Sequence, residues 1–231
     1  WLTRGDGWHT GGTTIDTQCG SGQQANHLIS ALVRSGDIDV GIGCGVEVMS
    51  HVGLGANVMN GPGFFLPPDY PWDEPMSQFI AVERIASQRG IKREQADEFA
   101  LRSQRLARQA SDEGRFTREI LPIDAPALGD DGKPTGQSVR VTKDQGIRPT
   151  TLEGLAALKP VQEGGIHTAG NSSQVSDGAA GLLYMSAEKA KPHGLRPRAR
   201  IRFDAVVGSD PTLILTGPID ATRRFLAKSG M

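Results

Sequence analysis

The spacing of hydrophobic residues changes twice near the start of the chain. Residues 13–16 are β-branched and apolar, which is typical of a short strand. Apolar residues then recur at helical spacing, so residues 21–34 are predicted to form an amphipathic helix that ends at Gly36. The apolar positions of this helix are Ala25, Leu28, Ile29 and Leu32. The glycine-rich apolar run at residues 39–50 predicts a buried strand, and strand, helix and strand together indicate a βαβ unit.

The middle of the chain, residues 51–174, has a different character. Two helices are predicted, the second over residues 93–113. Residues 121–165 are predicted to be loop-like, with a turn at 130–133 and a short strand at 137–142. The residues expected on the inward face of the second helix are Ala96, Phe99, Ala100, Ser103, Leu106 and Ala110. This stretch is predicted to be an insertion packed over a sheet.

The last part of the chain is predicted to return to the sheet. Residues 177–186 predict a buried strand, and residues 187–194 predict a short helix that a glycine ends. Residues 198–208 predict another strand, and residues 217–231 predict the start of a further helix. Helices and strands in this order favour an α/β fold.

Composition narrows the classes of function. The chain has 231 residues, of which 37% are hydrophobic, enough for one large domain or two smaller ones. Its formal net charge of -1 provides no general attraction for nucleic acid or an anionic membrane, so neither is expected as a partner. With no long apolar run and no signal-peptide pattern at the start, we expect a cytoplasmic protein. The two cysteines and five histidines lack ligand spacing, so no metal is predicted.

Cys19 is the candidate nucleophile, because it lies between the first predicted strand and helix. The first turn of a helix presents unpaired N–H groups and a partial positive charge, which stabilise a thiolate. Gly20 and Gly22 permit a strained turn and a close approach to the sulfur. These features alone leave a small buried cysteine equally plausible. Cys44 lies inside an apolar strand, where a structural role is the favoured interpretation.

Motifs along nearly the whole chain resemble the thiolase family of acetyl-CoA acetyltransferases and 3-ketoacyl-CoA thiolases. TTIDTQCGSGQQA is similar to the segment around the family's nucleophilic cysteine, and GCGVEVMS to the strand that follows it. ERIASQRGIKREQADEFALRSQ resembles its loop domain, and HTAGNSSQVSDGAAGLLYMS the return to the core. WHTGGTTID followed by QCGSGQQANHL is most similar to an actinobacterial branch associated with steroid degradation.

The resemblance implies a particular α/β fold, a five-layered α-β-α-β-α sandwich of two similar halves. Residues 1–50 and 175–196 would belong to the first half, and residues 51–174 would form the inserted loop domain. Residues 197–231 would begin the second half. The family's first strands and most of its second half would then be missing from this chain.

The resemblance also implies a chemistry. Cys19 would attack a 3-ketoacyl-CoA, carry the acyl group and pass it to coenzyme A, while its backbone N–H helps to form an oxyanion hole. Coenzyme A would be a co-substrate, with no permanently bound cofactor. Ala169, Gly170 and Ser173 would contact the pantetheine arm, and Arg148 would lie near the nucleotide. Without the resemblance, a turn or cap is favoured for Ser173 and a solvated charge for Arg148.

Departures from the family leave alternatives open. The family's later motifs, with an oxyanion-hole asparagine, an activating histidine and an acid–base cysteine, have no counterpart here, so this segment alone is expected to be nearly inactive. A non-catalytic thiolase-like subunit or scaffold is the main alternative, and a ketoacyl synthase is a third. Gln78, Val161 and Gln162 differ from common family residues near the acyl chain. His167 is expected to pack rather than to catalyse, and the family suggests a homodimer or homotetramer.

Overall fold

The computed structural model describes residues 10–59, 69–73 and 77–231. A short 3-10 turn, Gln18–Gly20, precedes the first helix. The helices are α1 (Ser21–Ser35), α2 (Ala56–Met59), α3 (Gln78–Arg89), α4 (Arg93–Asp112), α5 (Leu152–Ala156), α6 (Ala187–Ala190) and α7 (Gly217–Ser229). The strands are β1 (Val40–Val48), β2 (Ile123–Leu128), β3 (Pro134–Val141) and β4 (Asp177–Met185).

The described residues divide into two compact units. The first unit contains residues 10–59, 175–208 and 218–231. The second contains residues 69–73, 77–174 and 209–217. Each unit therefore joins segments that are far apart in sequence.

The first unit is built on an antiparallel pair of strands. β1 pairs with β4 from Val40 opposite Met185 to Val48 opposite Asp177. Helix α1 lies against the face of β1 that carries Gly41 and Gly43, because a Cβ atom at either position would collide with side chains of α1. Gly41 and Gly43 of the glycine-rich run thus allow close packing of a helix on a strand.

The opposite face of this strand pair is apolar and exposed. Residues alternate between the two faces of a strand, so Ile42, Cys44 and Val46 lie on the face away from α1. Val46 is 72% exposed, and Leu183 of β4 is 58% exposed. The two strands were predicted correctly, but the prediction that they are buried is wrong, because the described residues cover only one face.

The N-terminal predictions are confirmed in part. Helix α1 ends as expected, with Gly36 in the left-handed conformation at φ 83°. Residues 13–16 do not form a strand, since no described residue provides a hydrogen-bonded neighbour. The predicted βαβ unit is therefore wrong for the described residues, where β1 pairs antiparallel with β4.

The strand predicted at residues 198–208 is also wrong. No described strand pairs with these residues, and the Val206 and Asp204 carbonyls accept from side chains of α7 instead. Arg224 of α7 donates to the Val206 carbonyl at 2.9 Å, and Arg34 of α1 forms an ion pair with Asp204 at 2.9 Å. Extended residues with β propensity become a strand only when a second strand lies beside them.

The second unit contains helices α3, α4 and α5 and the hairpin β2–β3. Helix α4 has the predicted bounds to within one residue, but its predicted inward face is wrong in part. Phe99 is 71% exposed and Leu106 is exposed, whereas Asp97 is 4% exposed. The inward stripe includes polar residues with hydrogen-bond partners, so apolar periodicity alone misplaced it.

The hairpin was predicted only in part. The strand expected at residues 137–142 corresponds to β3, and the turn expected at 130–133 connects β2 to β3. β2, which pairs Ile123 with Val141, was not predicted. Pro126, which cannot donate a backbone hydrogen bond, makes β2 resemble a loop, and the pairing with β3 is what makes it a strand.

Candidate functional site

Cys19 lies in the first unit, in the 3-10 turn directly before α1. Its thiol is free and exposed. Gly20 is the residue before the first turn of α1, and no described side chain caps the helix there. Ser21 N–H, the first of α1, bonds to the Gln18 carbonyl, and the partial positive charge of the start of α1 lies at the turn that carries Cys19.

The turn that carries Cys19 is held in a strained conformation. Gln18 has φ 53°, which is costly for a residue other than glycine. Its N–H donates to Asp16 Oδ1 at 2.9 Å, and its carbonyl accepts from Ser21 Oγ at 2.7 Å. Gly20 N–H donates to the Thr17 carbonyl at 3.1 Å. These bonds on both sides of Cys19 fix the direction in which its side chain leaves the backbone.

Cys44 differs from the expectation of a buried structural thiol. It lies in β1 on the face away from α1, and its thiol is free and exposed. The reason is the uncovered face of the strand pair described above. Cys44 lies in the middle of β1 rather than at the start of a described helix, which distinguishes its surroundings from those of Cys19.

In the second unit, the loop at residues 166–173 contains three of the predicted binding residues and is held by Glu83 of α3. The Glu83 carboxylate accepts from Ile166 N at 3.0 and 3.1 Å, from His167 N at 3.0 Å and from His167 Nδ1 at 2.8 Å. Burial on its own raises the pKa of Glu83, but the hydrogen bonds from His167 and Ile166 outweigh it, so this pKa lies below its ordinary value.

The same loop is held from α4 by Asp97. Asn171 Nδ2 donates to Asp97 Oδ1 at 2.9 Å, and Asn171 Oδ1 accepts from Thr168 N at 2.8 Å. Arg93 Nε donates to Asp97 Oδ2 at 2.7 Å, and Arg93 Nη2 donates to the Leu155 carbonyl of α5 at 2.5 Å. One buried carboxylate thus connects α4, α5 and the loop.

The predicted pantetheine residues occupy this held loop. Ala169 and Ser173 are exposed, and Gly170 is half-buried. A Cβ atom at Gly170 would collide with the side chains of Leu155 and Leu158, so only glycine fits this close approach to α5. The backbone of the loop is therefore fixed while its outer edge stays accessible.

Arg148 is exposed and belongs to a neighbouring loop of the same unit. Its N–H donates to Gln104 Oε1 at 3.2 Å. Gln174, next to Ser173, donates from Nε2 to the Gly146 carbonyl at 2.8 Å. These bonds connect the segment before Arg148 with the end of the loop that carries Ser173.

The structure therefore groups Arg148, Ala169, Gly170 and Ser173 in the second unit, whereas Cys19 belongs to the first. Sequence reasoning missed Glu83 and Asp97, and it assigned His167 a packing role where the structure gives it a hydrogen bond to Glu83. The available signal was a carboxylate inside the apolar segment of α3, between Ile80 and Ala86. Its partner could not be inferred from spacing.

Metal-binding clusters and membrane-spanning helices were considered among the described residues. No group of three or more His, Cys, Asp and Glu side chains there is arranged to hold a metal ion. None of the helices in those residues has both the length and the apolar character that crossing a membrane requires.

Comparisons with known proteins are consistent with this architecture, an α/β scaffold with an exposed cysteine at the start of a helix. The chain is 41% identical over 223 residues to a 3-ketoacyl-CoA thiolase of Idiomarina loihiensis, with 95% of this chain and 55% of the relative covered. It is 37% identical over 240 residues to a steroid 3-ketoacyl-CoA thiolase of Mycobacterium tuberculosis, with 100% and 56% covered. An acetyl-CoA acetyltransferase structure from Bacillus anthracis matches with TM-score 0.76 and 35% identity, covering 94% of this chain and 56% of that one.

The family description "Thiolase, N-terminal domain" matches residues 2–188. The chain belongs to the thiolase family and has the thiolase fold, in incomplete form. It spans about half the length of the curated relatives that it matches.

Proposed function

We propose that this chain supplies the nucleophile and part of the coenzyme A site of an acyl-CoA C-acyltransferase. The observation that carries the proposal is the exposed Cys19 thiol in a strained turn directly before the uncapped first turn of α1. Family membership and relatives that are named 3-ketoacyl-CoA thiolases support it.

The proposed reaction proceeds in two transfers. The Cys19 thiolate adds to the 3-keto carbon of a 3-ketoacyl-CoA, and the bond between the second and third acyl carbons breaks. The electron pair stays on the second carbon, which takes up a proton and leaves as acetyl-CoA. The thiol of a second coenzyme A then accepts the acyl group and releases Cys19. Covalent catalysis of this kind divides one difficult cleavage into two easier steps.

Coenzyme A is proposed to bind along the edge of the second unit. Ala169, Gly170 and Ser173 would contact the pantetheine arm, and the cationic Arg148 would attract the phosphates of the nucleotide. The exposure of Ala169, Ser173 and Arg148, together with the bonds that connect their two loops, supports this assignment.

The acyl group is proposed to be a fatty acyl chain or a steroid-derived one. The named activity of the Mycobacterium tuberculosis relative, which matches across the whole of this chain, supports the steroid-derived group. Turnover of a steroid side-chain 3-ketoacyl-CoA compared with acetoacetyl-CoA and a long-chain 3-ketoacyl-CoA would test the choice. A preference for acetoacetyl-CoA would contradict both proposed substrate classes.

Trapping the covalent intermediate tests the function. The full-length polypeptide, rather than this segment alone, is mixed with a 3-ketoacyl-CoA, quenched in acid and examined by intact mass and peptide mapping. We expect an acyl adduct on Cys19, which the Cys19→Ala variant loses and the Cys44→Ala variant keeps. Absence of any adduct on Cys19 in the wild-type protein would support a scaffold instead.

Three assignments stay predictions. The first half is placed at residues 1–50 and 175–196, the loop domain at 51–174 and the start of the second half at 197–231. A homodimer or homotetramer is expected and can be tested by sedimentation. The cytoplasmic location can be tested by fractionation of cells.

A further inference from the structure

The loop at residues 166–171 is held between carboxylates of two successive helices. Glu83 accepts three different N–H groups at the start of this segment, from Ile166 N, His167 N and His167 Nδ1. Asp97 accepts from Asn171 at the end of the segment. The residues between these anchors include Ala169 and Gly170.

The three donors on Glu83 have a chemical consequence. An ionised carboxylate has no hydrogen to donate, so the contact at 2.8 Å requires a hydrogen on His167 Nδ1. The Glu83 carboxylate also lies directly against Gly165, where a Cβ atom would collide with it. Such charge-assisted bonds are roughly twice as strong as neutral ones, and four of them converge on one side chain.

We propose that Glu83 is a positioning residue, which sets the backbone conformation of residues 166–171 and thereby the affinity of this loop for the pantetheine arm of coenzyme A. The proposal rests on the proposed function for its ligand. Glu83 contacts the loop through Ile166 and His167 and is not itself one of the proposed coenzyme A contacts. Removing it therefore keeps the binding residues, while the loop loses its anchor at Ile166 and His167 and retains the one at Asp97.

The test compares Glu83→Ala with Glu98→Ala, which removes an exposed carboxylate from α4 of the same unit. Amide hydrogen exchange is measured on the free protein, and coenzyme A affinity is measured by titration calorimetry. In Glu83→Ala we expect exchange of the Ile166 and His167 amides to accelerate by about tenfold or more, and coenzyme A affinity to fall by about tenfold. Glu98→Ala should leave both unchanged.

A milder variant guards against loss of folding. Glu83→Gln keeps the shape and one acceptor oxygen but places an NH2 group near Ile166 N–H, so its effects should lie between those of wild type and Glu83→Ala. In the wild type, ¹⁵N spectra should show the hydrogen of His167 on Nδ1, and in Glu83→Ala this preference should be lost. If Glu83 only stabilised the fold, the hydrogen of His167 would stay on Nδ1 in every variant that remains folded.

The outcomes separate the two proposals. If the wild-type protein does not bind coenzyme A, the proposed ligand of the loop is wrong, whereas the exchange and ¹⁵N results still decide whether Glu83 holds the loop. If exchange at Ile166 and His167 is unchanged in Glu83→Ala, or rises equally across the whole unit, Glu83 is not a positioning residue. Unchanged affinity in a wild type that binds coenzyme A would overturn the inference as well.

Discussion

At the scale of single residues, the two cysteines offer an internal comparison. Both thiols are free and exposed, so exposure does not separate their reactivity. Cys19 has the N-terminus of α1 beside it and Cys44 does not. Because the N-terminus of a helix attracts negative charge, we expect iodoacetamide to alkylate Cys19 several-fold faster than Cys44. Peptide mapping over time measures both rates.

Variants assign the fast reaction. Cys44→Ser should retain the fast phase, and Cys19→Ser should remove it. Equal rates for the two thiols in the wild-type protein would count against Cys19 as the nucleophile.

Asp97 provides a second test at this scale, because it is a charged residue that is only 4% exposed. Asp97→Ala leaves Arg93 without its carboxylate and removes one of the two acceptors of Asn171 Nδ2, which keeps the Ile166 carbonyl. Breaking a buried pair in this way typically lowers the free energy of unfolding by about 3–5 kcal/mol. We expect a decrease near the lower end of that range, because Arg93 keeps two carbonyl partners. Urea unfolding measures it. Glu98→Ala on the same helix should cost less than about 0.5 kcal/mol, and an equal loss in both variants would contradict the role of Asp97.

Sequence alone could single out Cys19 as the candidate nucleophile, which stays a prediction, but it could not single out the carboxylates that hold the loop. Cys19 is marked by local features, a glycine-flanked turn followed by an apolar helix. Glu83 is marked only by its contact with Ile166 and His167, which are far away in sequence. No periodicity encodes a contact of that kind, and a charged residue in a helix is usually solvated.

At the scale of elements, the approach of α1 to β1 determines where Cys19 is held. A Cβ atom at Gly43 would collide with the side chain of Asn26, whereas one at Gly45 would meet nothing within 4 Å. Gly43→Ala should therefore destabilise the protein by about 1–3 kcal/mol through overpacking, and Gly45→Ala should be neutral or slightly stabilising. Thermal or urea unfolding of the two variants measures the difference.

A double mutant tests whether Asn26 is the cause. Within the described structure, Asn26 Oδ1 is buried and has no hydrogen-bond partner, whereas Asn26 Nδ2 donates to the Gly22 carbonyl at 2.8 Å, so Asn26→Ala removes one hydrogen bond together with the collision. Adding Asn26→Ala to Gly43→Ala should recover about 1–2 kcal/mol. Additive losses would show that the collision is not what destabilises Gly43→Ala.

Helices were easier to predict than strands in this chain. Helices α1, α4 and α7 are encoded by their own apolar spacing and by the glycines and polar residues at their ends. Strands require a partner: β2 reads as a loop, and residues 198–208 read as a strand although their bonds go to helices. The partner of β1 comes from β4, beyond the whole of residues 51–174, so local sequence could not give its antiparallel direction.

At the scale of the whole molecule, the first unit depends on contacts between distant segments. β1 and β4 pair across a long loop of intervening residues. Residues 201–206 connect α1 to α7, because Asp204 pairs with Arg34 of α1 and the Val206 carbonyl accepts from Arg224 of α7. The second unit is mostly continuous, with α3, α4 and α5 close in sequence. Because its strands come from distant parts of the chain, the first unit has a larger entropic cost of loop closure on folding than the second unit.

Carboxylates in both units determine how stability depends on acid. The pKa values of Glu83, Asp177 and Asp204 all lie below their ordinary values. Hydrogen bonds from Ser50 cause the shift at Asp177, and those from Arg34 cause it at Asp204, while at Glu83 the bonds from His167 and Ile166 outweigh burial. A folded pKa below the unfolded one means that the unfolded protein binds more protons.

The sign of the pH dependence follows. The stability from these groups is fully present above their unfolded pKa values, near 4, and is lost as pH falls through the lower folded values. We therefore expect the urea midpoint to be flat from pH 7 to about 5 and to fall steadily toward pH 3. Ser50→Ala removes the hydroxyl hydrogen bond to Asp177 Oδ2 and keeps the backbone N–H bond to Asp177 Oδ1, so its deficit relative to wild type should be largest near pH 7 and should shrink by pH 3. A midpoint that rises on acidification, or a Ser50→Ala deficit independent of pH, would show that these carboxylates do not stabilise the fold as ions.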